Sequence, residues 1–140
     1  MIITDTGFWL ALINKRDKHH VQAITFMSGC REDLITSWPV ITETCYMLGR
    51  DLGIKSQITF LQLIKSDLVY VSDISSAYID NIEKLMIKYA DLPMDLADAS
   101  MVILADELGH GRILSTDQRD FQCYRWKNHK PFENLLLPDL

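Results

Sequence analysis

No stretch of the chain approaches the roughly 20 uncharged apolar residues that a membrane helix needs. None reads as a secretory leader, so a cytoplasmic protein without membrane partners is expected. The three cysteines, Cys30, Cys45 and Cys123, contain no C-x-x-C pair, and one is left over in any pairing scheme. They read as reduced thiols. No two histidines have zinc-ligand spacing: His19 and His20 sit in a charged segment, and His110 and His129 read as solvent-facing. Positive charge is short, with 14 Lys and Arg against 19 Asp and Glu and a net −5, which argues against a non-specific nucleic-acid binder. No side chain pairs a nucleophile with an adjacent base, so no covalent intermediate is expected. Linkers, repeats and low-complexity runs are also missing, which predicts one domain over residues 1–140. A chain of this length buries roughly 70 % of its unfolded surface, enough for a core without staples.

What is present is a regular alternation of short β-rich runs and amphipathic segments. Met1 to Thr4 reads as a strand and Gly7 to Ile13 as an apolar helix, followed by a charged loop from Asn14 to Lys18. A helix over His20 to Met27 closes near Gly29, and Leu34 to Trp38 forms a buried strand stopped by Pro39. Helices follow from Thr42 to Leu48 and from Lys55 to Ile64, then a strand over Leu68 to Ser72. Ser75 or Ser76 caps a long helix with apolar residues at 78, 79, 82, 85, 86 and 89. Asp95 caps a nearly all-apolar helix from Leu96 to Leu108 that ends at Gly109, and Ile113 to Ser115 is the last strand. The tail from Phe121 to Leu140 is interrupted by Pro131 and Pro138. Strand–helix alternation predicts an α/β fold, a three-layer α/β/α sandwich with a mainly parallel central sheet.

Acids punctuate this pattern where strands end and helices begin. Asp5 closes the first strand, where it serves either as a turn former or in a site; a phosphoaspartate enzyme wants a second Asp two residues on, and that position is Gly7. A receiver-type phosphotransfer domain wants a lysine at a late strand end, where Thr116-Asp117 stands instead. Glu43 lies one residue into an apolar helix, either a partly exposed first-turn residue favoured by the helix dipole or a buried carboxylate. Asp95 and Asp98 have the spacing of a capping pair, but Leu96, Ala97 and Ala99 carry Asp98 into a buried helix. Asp117 ends the strand expected beside that of Asp5, whereas Asp120 reads as structural. Carboxylates about 4 Å apart repel by roughly 4 kcal/mol per pair at an effective dielectric of 20. A cluster of them survives by protonation or by binding a hard dication, and all-oxygen ligands select Mg²⁺ or Mn²⁺. Charge along the chain adds a second cue. Between Gly109 and Lys130, Arg112, Arg119, Arg125, Lys127 and Lys130 face only Asp117 and Asp120, a local +3 that leaves −8 for the remainder. This is either a solvated surface or a basic lip for a polyanion.

Taken in order, Ile3-Thr-Asp5-Thr-Gly7, Ile41-Thr-Glu43, Leu96-Ala-Asp98-Ala and Ser115-Thr-Asp117-x-x-Asp-Phe121 resemble the PIN domain family, in particular VapC-type toxins of toxin–antitoxin pairs. The resemblance covers nearly the whole chain, including the tail Tyr124-Arg125 and Pro131-Phe132-Glu133-Asn134. It implies a Mg²⁺- or Mn²⁺-dependent endoribonuclease whose metal-binding and catalytic acids are Asp5, Glu43, Asp98 and Asp117. Thr6 and Thr116 match the hydroxyls beside the first and last acids, with Asp95 and Asp120 in supporting positions. The implied partners are RNA, a VapB-like antitoxin covering the acidic cleft, and a second copy of the chain. For the RNA itself, Arg119, Arg125 and Lys127 are the expected phosphate contacts and Trp126 a base-stacking platform. Phe8, Trp9, Trp38 and Met47 either line a groove for a partner helix or belong to the core. The competing expectations are a PIN-like module that binds RNA or protein without cutting, and a nuclease directed at DNA.

Overall fold

The computed structural model describes residues 1–138; the last two residues of the tail lie outside the described ones. The elements in chain order are β1 (Ile2–Thr4), α1 (Thr6–Ile13), α2 (His20–Gly29), β2 (Leu34–Ser37), α3 (Trp38–Asp51), α4 (Ile54–Ile64) and β3 (Val69–Ser72). A 3₁₀ turn (Ser76–Tyr78) leads into α5 (Ile79–Lys88), followed by α6 (Leu96–Leu108), β4 (Arg112–Leu114) and α7 (Gln118–Cys123). Three two-residue strands end the chain, β5 (Arg125–Trp126), β6 (Lys130–Pro131) and β7 (Glu133–Asn134).

Five strands form one parallel sheet in the order β3-β2-β1-β4-β7, while β5 and β6 make a separate antiparallel hairpin. Helices α1 to α4 pack together, and α6 lies against β1 and β2 with α5 outside it, so the expected three layers are present. Every residue of β1 and β2 is buried, as strands covered on both faces require. Helix α6 is the centre of the core: Ala97 and every residue from Ala99 to Ala105 are buried. Each fully buried Met, Ile or Leu there contributes about 1.5–3 kcal/mol. Gly109 ends α6 at φ 76°, a left-handed conformation that a glycine adopts without steric cost. Among the described residues, no helix is long and apolar enough to cross a membrane.

Several boundaries differ from the sequence expectation. Pro39 does not stop a strand before a gap; it sits in the first turn of α3, where a missing N–H costs nothing, and the Ser37 hydroxyl accepts from Val40 N. Helix α3 therefore begins four residues earlier than Thr42, and Glu43 falls in its second turn rather than its first. Strand β4 stops at Leu114, leaving Ser115 in the turn. His20 is no solvated loop residue: it opens α2, and its Nδ1 lies 2.7 Å from the Ala11 carbonyl oxygen. His110 is half-buried, with Nδ1 accepting from Arg112 N. Phe8 and Trp9 are core, not groove, whereas Trp38 stays exposed.

Candidate active site

β1 is the middle strand, and the sheet order runs outward from it in both directions, the arrangement that opens a crevice at the carboxyl ends of the strands. Asp5 is the first residue beyond β1. Its backbone N–H donates to Leu114 O, which locks it against the end of β4, and its carbonyl accepts from Phe8 N as α1 begins. The side chain caps nothing, although Asp5 stands at the N-cap position. It is 4 % exposed, with Oδ2 accepting from the Ser115 hydroxyl at 3.0 Å and Oδ1 buried without any hydrogen-bond partner. Burial pushes its pKa up to about 7, against the pull of the Thr6 N–H and the Ser115 hydroxyl, and the Glu43 and Asp117 charges add to the rise.

Asp98 approaches from α6. It belongs to a capping box in which Asp95 Oδ1 accepts from Asp98 N at 2.8 Å and Asp98 Oδ2 accepts from Asp95 N at 3.4 Å. The same Oδ2 accepts from the Tyr124 hydroxyl at 3.1 Å. Burial raises the Asp98 pKa to about 8, and the charges of Asp5 and Asp95 add to this. Asp98 is thus a member of a helix cap whose carboxyl also feels the Asp5 charge.

Glu43, on α3, is also raised above the ordinary range by burial; the Thr6 hydroxyl partly offsets this and Asp95 reinforces it. Thr6 Oγ1 is buried and makes no hydrogen bond of ordinary geometry, although it faces Glu43. Asp117 caps α7, with Oδ1 accepting from Asp120 N at 3.2 Å, while its own N–H donates to the Ser115 hydroxyl at 2.9 Å. Its carboxyl is raised by burial and by the adjacent Asp120 carboxylate. Among the described residues, no arginine or lysine is ion-paired with any of the four acids.

The hydroxyl that joins the first and last acids is Ser115, not Thr116. Thr116 instead packs on α1: a Cβ at Gly7 would run into its Oγ1, so any larger residue there forces Thr116 to shift. Two further residues escaped the sequence reading as site members. Tyr124 is fully buried and reaches Asp98 with its hydroxyl, and Asn134 brackets Ser115. A hydroxyl two residues before Asp117 was the available signal for Ser115; for Tyr124 and Asn134 it was their place in the tail segments that share the resemblance, without a role attached.

The proposed basic lip does not form. Trp126 is 7 % exposed and donates from Nε1 to Pro131 O, so it offers no face for stacking on a base. Lys127 N donates to Asp106 Oδ1, eight residues beyond Asp98, or roughly 12 Å down the axis of α6. The ammonium groups of Lys127 and Lys130 lie over the Trp126 ring. Arg125 Nη1 is spent on the carbonyls of Gln122 and Tyr124, and Arg112 is bidentate with Glu32. These residues close the hairpin and the sheet at the end away from the acids. Arg119 alone of the set remains beside them, largely exposed on α7 and 3.7 Å from Asp120. On the other flank, Trp38, Tyr46 and Leu96 expose apolar surface in a cavity of about 660 Å³ whose walls include Glu43 and Asp95.

A buried carboxylate oxygen without a donor, beside acids whose pKa values burial and neighbouring carboxylates raise, fits a hard divalent cation. Among the described residues, however, no three His, Cys, Asp or Glu side chains already stand as a finished cage. The ligands that suit Mg²⁺ or Mn²⁺ thus line the crevice without converging on one point.

A family model described as PIN domain matches residues 2–127, a span that contains all four acids. The protein described as Ribonuclease VapC26 of Mycobacterium tuberculosis is 25 % identical over 124 residues, covering 89 % of this chain and 92 % of that protein. The crystal structure of M. tuberculosis VapC20, described as a Sarcin-Ricin loop cleaving toxin, superposes with a TM-score of 0.79 at 21 % identity, over 85 % of this chain and 92 % of that one. At that identity the superposition speaks for the fold.

Proposed function

The chain belongs to the PIN domain family, and from that premise we propose that it is a metal-dependent endoribonuclease, the toxin component of a type II toxin–antitoxin pair. The observation that carries the reading is the buried Asp5 carboxylate, with one oxygen held by Ser115 and the other without a partner, close enough to Glu43, Asp98 and Asp117 for their charges to act on one another. A purely structural site would gain by losing such mutually repelling charges. The similarity to a protein described as a ribonuclease supports RNA as the substrate class.

Mg²⁺ or Mn²⁺ held by these acids would supply an activated water for in-line attack and neutralise charge on the scissile phosphate and the leaving 3′ oxygen. The protein's own contribution is positioning. Ser115 fixes one oxygen of Asp5 and the Asp117 backbone, Tyr124 fixes one oxygen of Asp98, and Thr6 faces Glu43. Asp95 and Asp120 act through the caps they form with Asp98 and Asp117. Arg119 supplies a phosphate contact beside the crevice. A VapB-like antitoxin would inhibit by laying a segment over the crevice, its apolar side chains in the groove of Trp38, Tyr46 and Leu96. A homodimer acting in the cytoplasm completes the proposal.

The test is RNA cleavage by the purified chain in Mg²⁺ or Mn²⁺, with excess chelator and with Asp5→Asn and Asp98→Asn. The expectation is cleavage that stops in chelator, returns on adding metal, and falls by roughly 100-fold or more in either variant while the fold is retained. Equal activity in chelator or in the variants contradicts the proposal, and a metal-independent RNA binder that never cuts returns the chain to the non-catalytic reading.

A further inference from the structure

Asn134 lies in the last strand of the sheet, seven residues past the end of the PIN match. Its side-chain amide behaves as an additional rung of the ladder at the point where β4 has ended. Nδ2 donates to Ser115 O at 2.8 Å, and Oδ1 accepts from Ser115 N at 3.3 Å, so the amide is bonded to both polar groups of one residue. Oδ1 also accepts from Leu136 N at 3.1 Å and Leu137 N at 3.3 Å. Three N–H donors on one atom fix which end of the amide is oxygen, since a flipped amide would set an NH₂ against all three. No other side chain of similar size replaces it: Asp lacks the donor, Leu lacks both functions, and Gln carries an extra methylene.

Ser115 carries this clamp to the acids directly, and Leu137, whose carbonyl accepts from Gln118 Nε2, ties it to the start of α7. The Ser115 hydroxyl hydrogen goes to Asp5 Oδ2, and the same oxygen accepts from Asp117 N. A serine whose backbone could rotate would lose both contacts, because one hydroxyl must meet two partners on different segments. Asp5 N holds the Leu114 carbonyl of the preceding peptide, and the Asn134 amide holds the N–H and the carbonyl of Ser115 itself.

We propose that Asn134 is a positioning residue for the acid cluster: by holding the Ser115 peptide from the chain's tail, it aims the Ser115 hydroxyl and sets the placement of Asp5 and Asp117 for a divalent cation. The inference rests on the metal-dependent nuclease reading and adds to it a residue outside the matched family segment. Partners that orient the ligands of a metal, without touching it, affect metal affinity by about 10–100-fold.

The experiment measures Mn²⁺ affinity by the electron paramagnetic resonance signal of free Mn²⁺, and amide hydrogen exchange at Ser115 and Asp117, in the wild-type chain, Asn134→Ala and Leu136→Ala. Leu136 is a core residue of the same tail, 6 % exposed, and its removal controls for loss of packing. Asn134→Ala is expected to weaken Mn²⁺ binding by about 10–100-fold and to speed exchange at both amides. Leu136→Ala, compared at equal distance below its own melting temperature, is expected to leave the affinity within about twofold. Wild-type affinity in Asn134→Ala, or an equal loss in Leu136→Ala, overturns the proposal. If Asn134→Ala does not fold, Asn134→Asp, which keeps the acceptor and loses the donor to Ser115 O, carries the same test with the same outcomes. A wild-type chain that binds no Mn²⁺ instead removes the nuclease reading itself, and this inference with it.

Discussion

Tyr124 donates its hydroxyl hydrogen to Asp98 Oδ2 at 3.1 Å, from a side chain that is otherwise fully buried. Burial and the Asp98 charge push the phenol far above its ordinary range, so it stays a donor throughout the working pH range. A hydrogen bond to the charged form of an acid lowers its pKa, and Asp98 stands at about 8 even with this help. Tyr124→Phe is therefore expected to raise the Asp98 pKa further and to move the pH dependence of Mn²⁺ binding, and of RNA cleavage, to higher pH. At pH 7 the rate should fall several-fold, roughly the 1.5–3 kcal/mol range of a hydrogen bond to a charged group being its upper bound. An unshifted pH profile would show that this contact has no influence on the acid.

The acids also make a prediction about the protein without metal. Asp5 and Asp98 hold protons in the folded chain up to about pH 7 and about pH 8, whereas the ordinary value for each is 3.8. Between these limits the native state binds more protons than the unfolded one, so stability falls as pH rises. It is fully present below about pH 4 as far as these two groups are concerned, and it is lost as pH passes through 7 and 8. The metal-free melting temperature should accordingly drop between pH 5 and pH 8.5, and the increase on adding Mn²⁺ should be larger at pH 8.5, where fewer protons compete for the acids. Calorimetry at two pH values with and without Mn²⁺ checks both signs; a Mn²⁺ shift that is larger at pH 5 contradicts the account.

Gly7 and Gly29 separate steric need from backbone freedom. A Cβ at Gly7 meets Thr116 Oγ1 in the turn that carries Asp117, whereas one at Gly29, the last residue of α2, meets nothing within 4 Å. Gly7→Ala should destabilise the chain by about 1–3 kcal/mol, as overpacking does, and depress Mn²⁺ binding. Gly29→Ala should leave metal binding unchanged and stabilise by about 0.4–1 kcal/mol. Denaturant unfolding of both variants, side by side with Mn²⁺ titration, tests the contrast.

Arg119 and Lys127 are both basic and both lie in the run from Gly109 to Lys130, yet one flanks the crevice and the other sits at the far end of α6. Arg119→Gln should weaken binding of RNA to the Asp98→Asn variant and reduce the slope of log affinity against log salt by about 1. Lys127→Gln should change neither. Equal effects from the two substitutions would mean that RNA follows a path across the hairpin.

The parallel sheet, its flanking helices and the buried character of α6 were legible because strands and helices announce themselves by hydrophobic period. The placement of Asp5, Asp98 and Asp117 was legible for a related reason: each stands just after a strand or at a helix start, and parallel topology brings such positions to one edge. What was hidden has no period. The pairings of β5, β6 and β7 involve two residues each, and the side chains of Asn134 and Tyr124 reach the site from separate segments after the last long strand. The basic run misled because charge along a sequence says nothing of direction. Arg112, Arg125, Lys127 and Lys130 spend their cations or their backbone on Glu32, carbonyls, Asp106 and the Trp126 ring. Pro39 misled for a different reason, since the residue that ends one element is equally suited to the first turn of the next.

The most direct measurement is an anomalous difference map from crystals of the wild-type chain soaked in Mn²⁺ near pH 8. The account predicts density in the crevice within about 2.0–2.4 Å of carboxylate oxygens of Asp5 and Asp98, with the previously unpartnered Asp5 Oδ1 as one ligand. Saturating Mn²⁺ with no density there, and Asp5 still bonded only to Ser115, would contradict it.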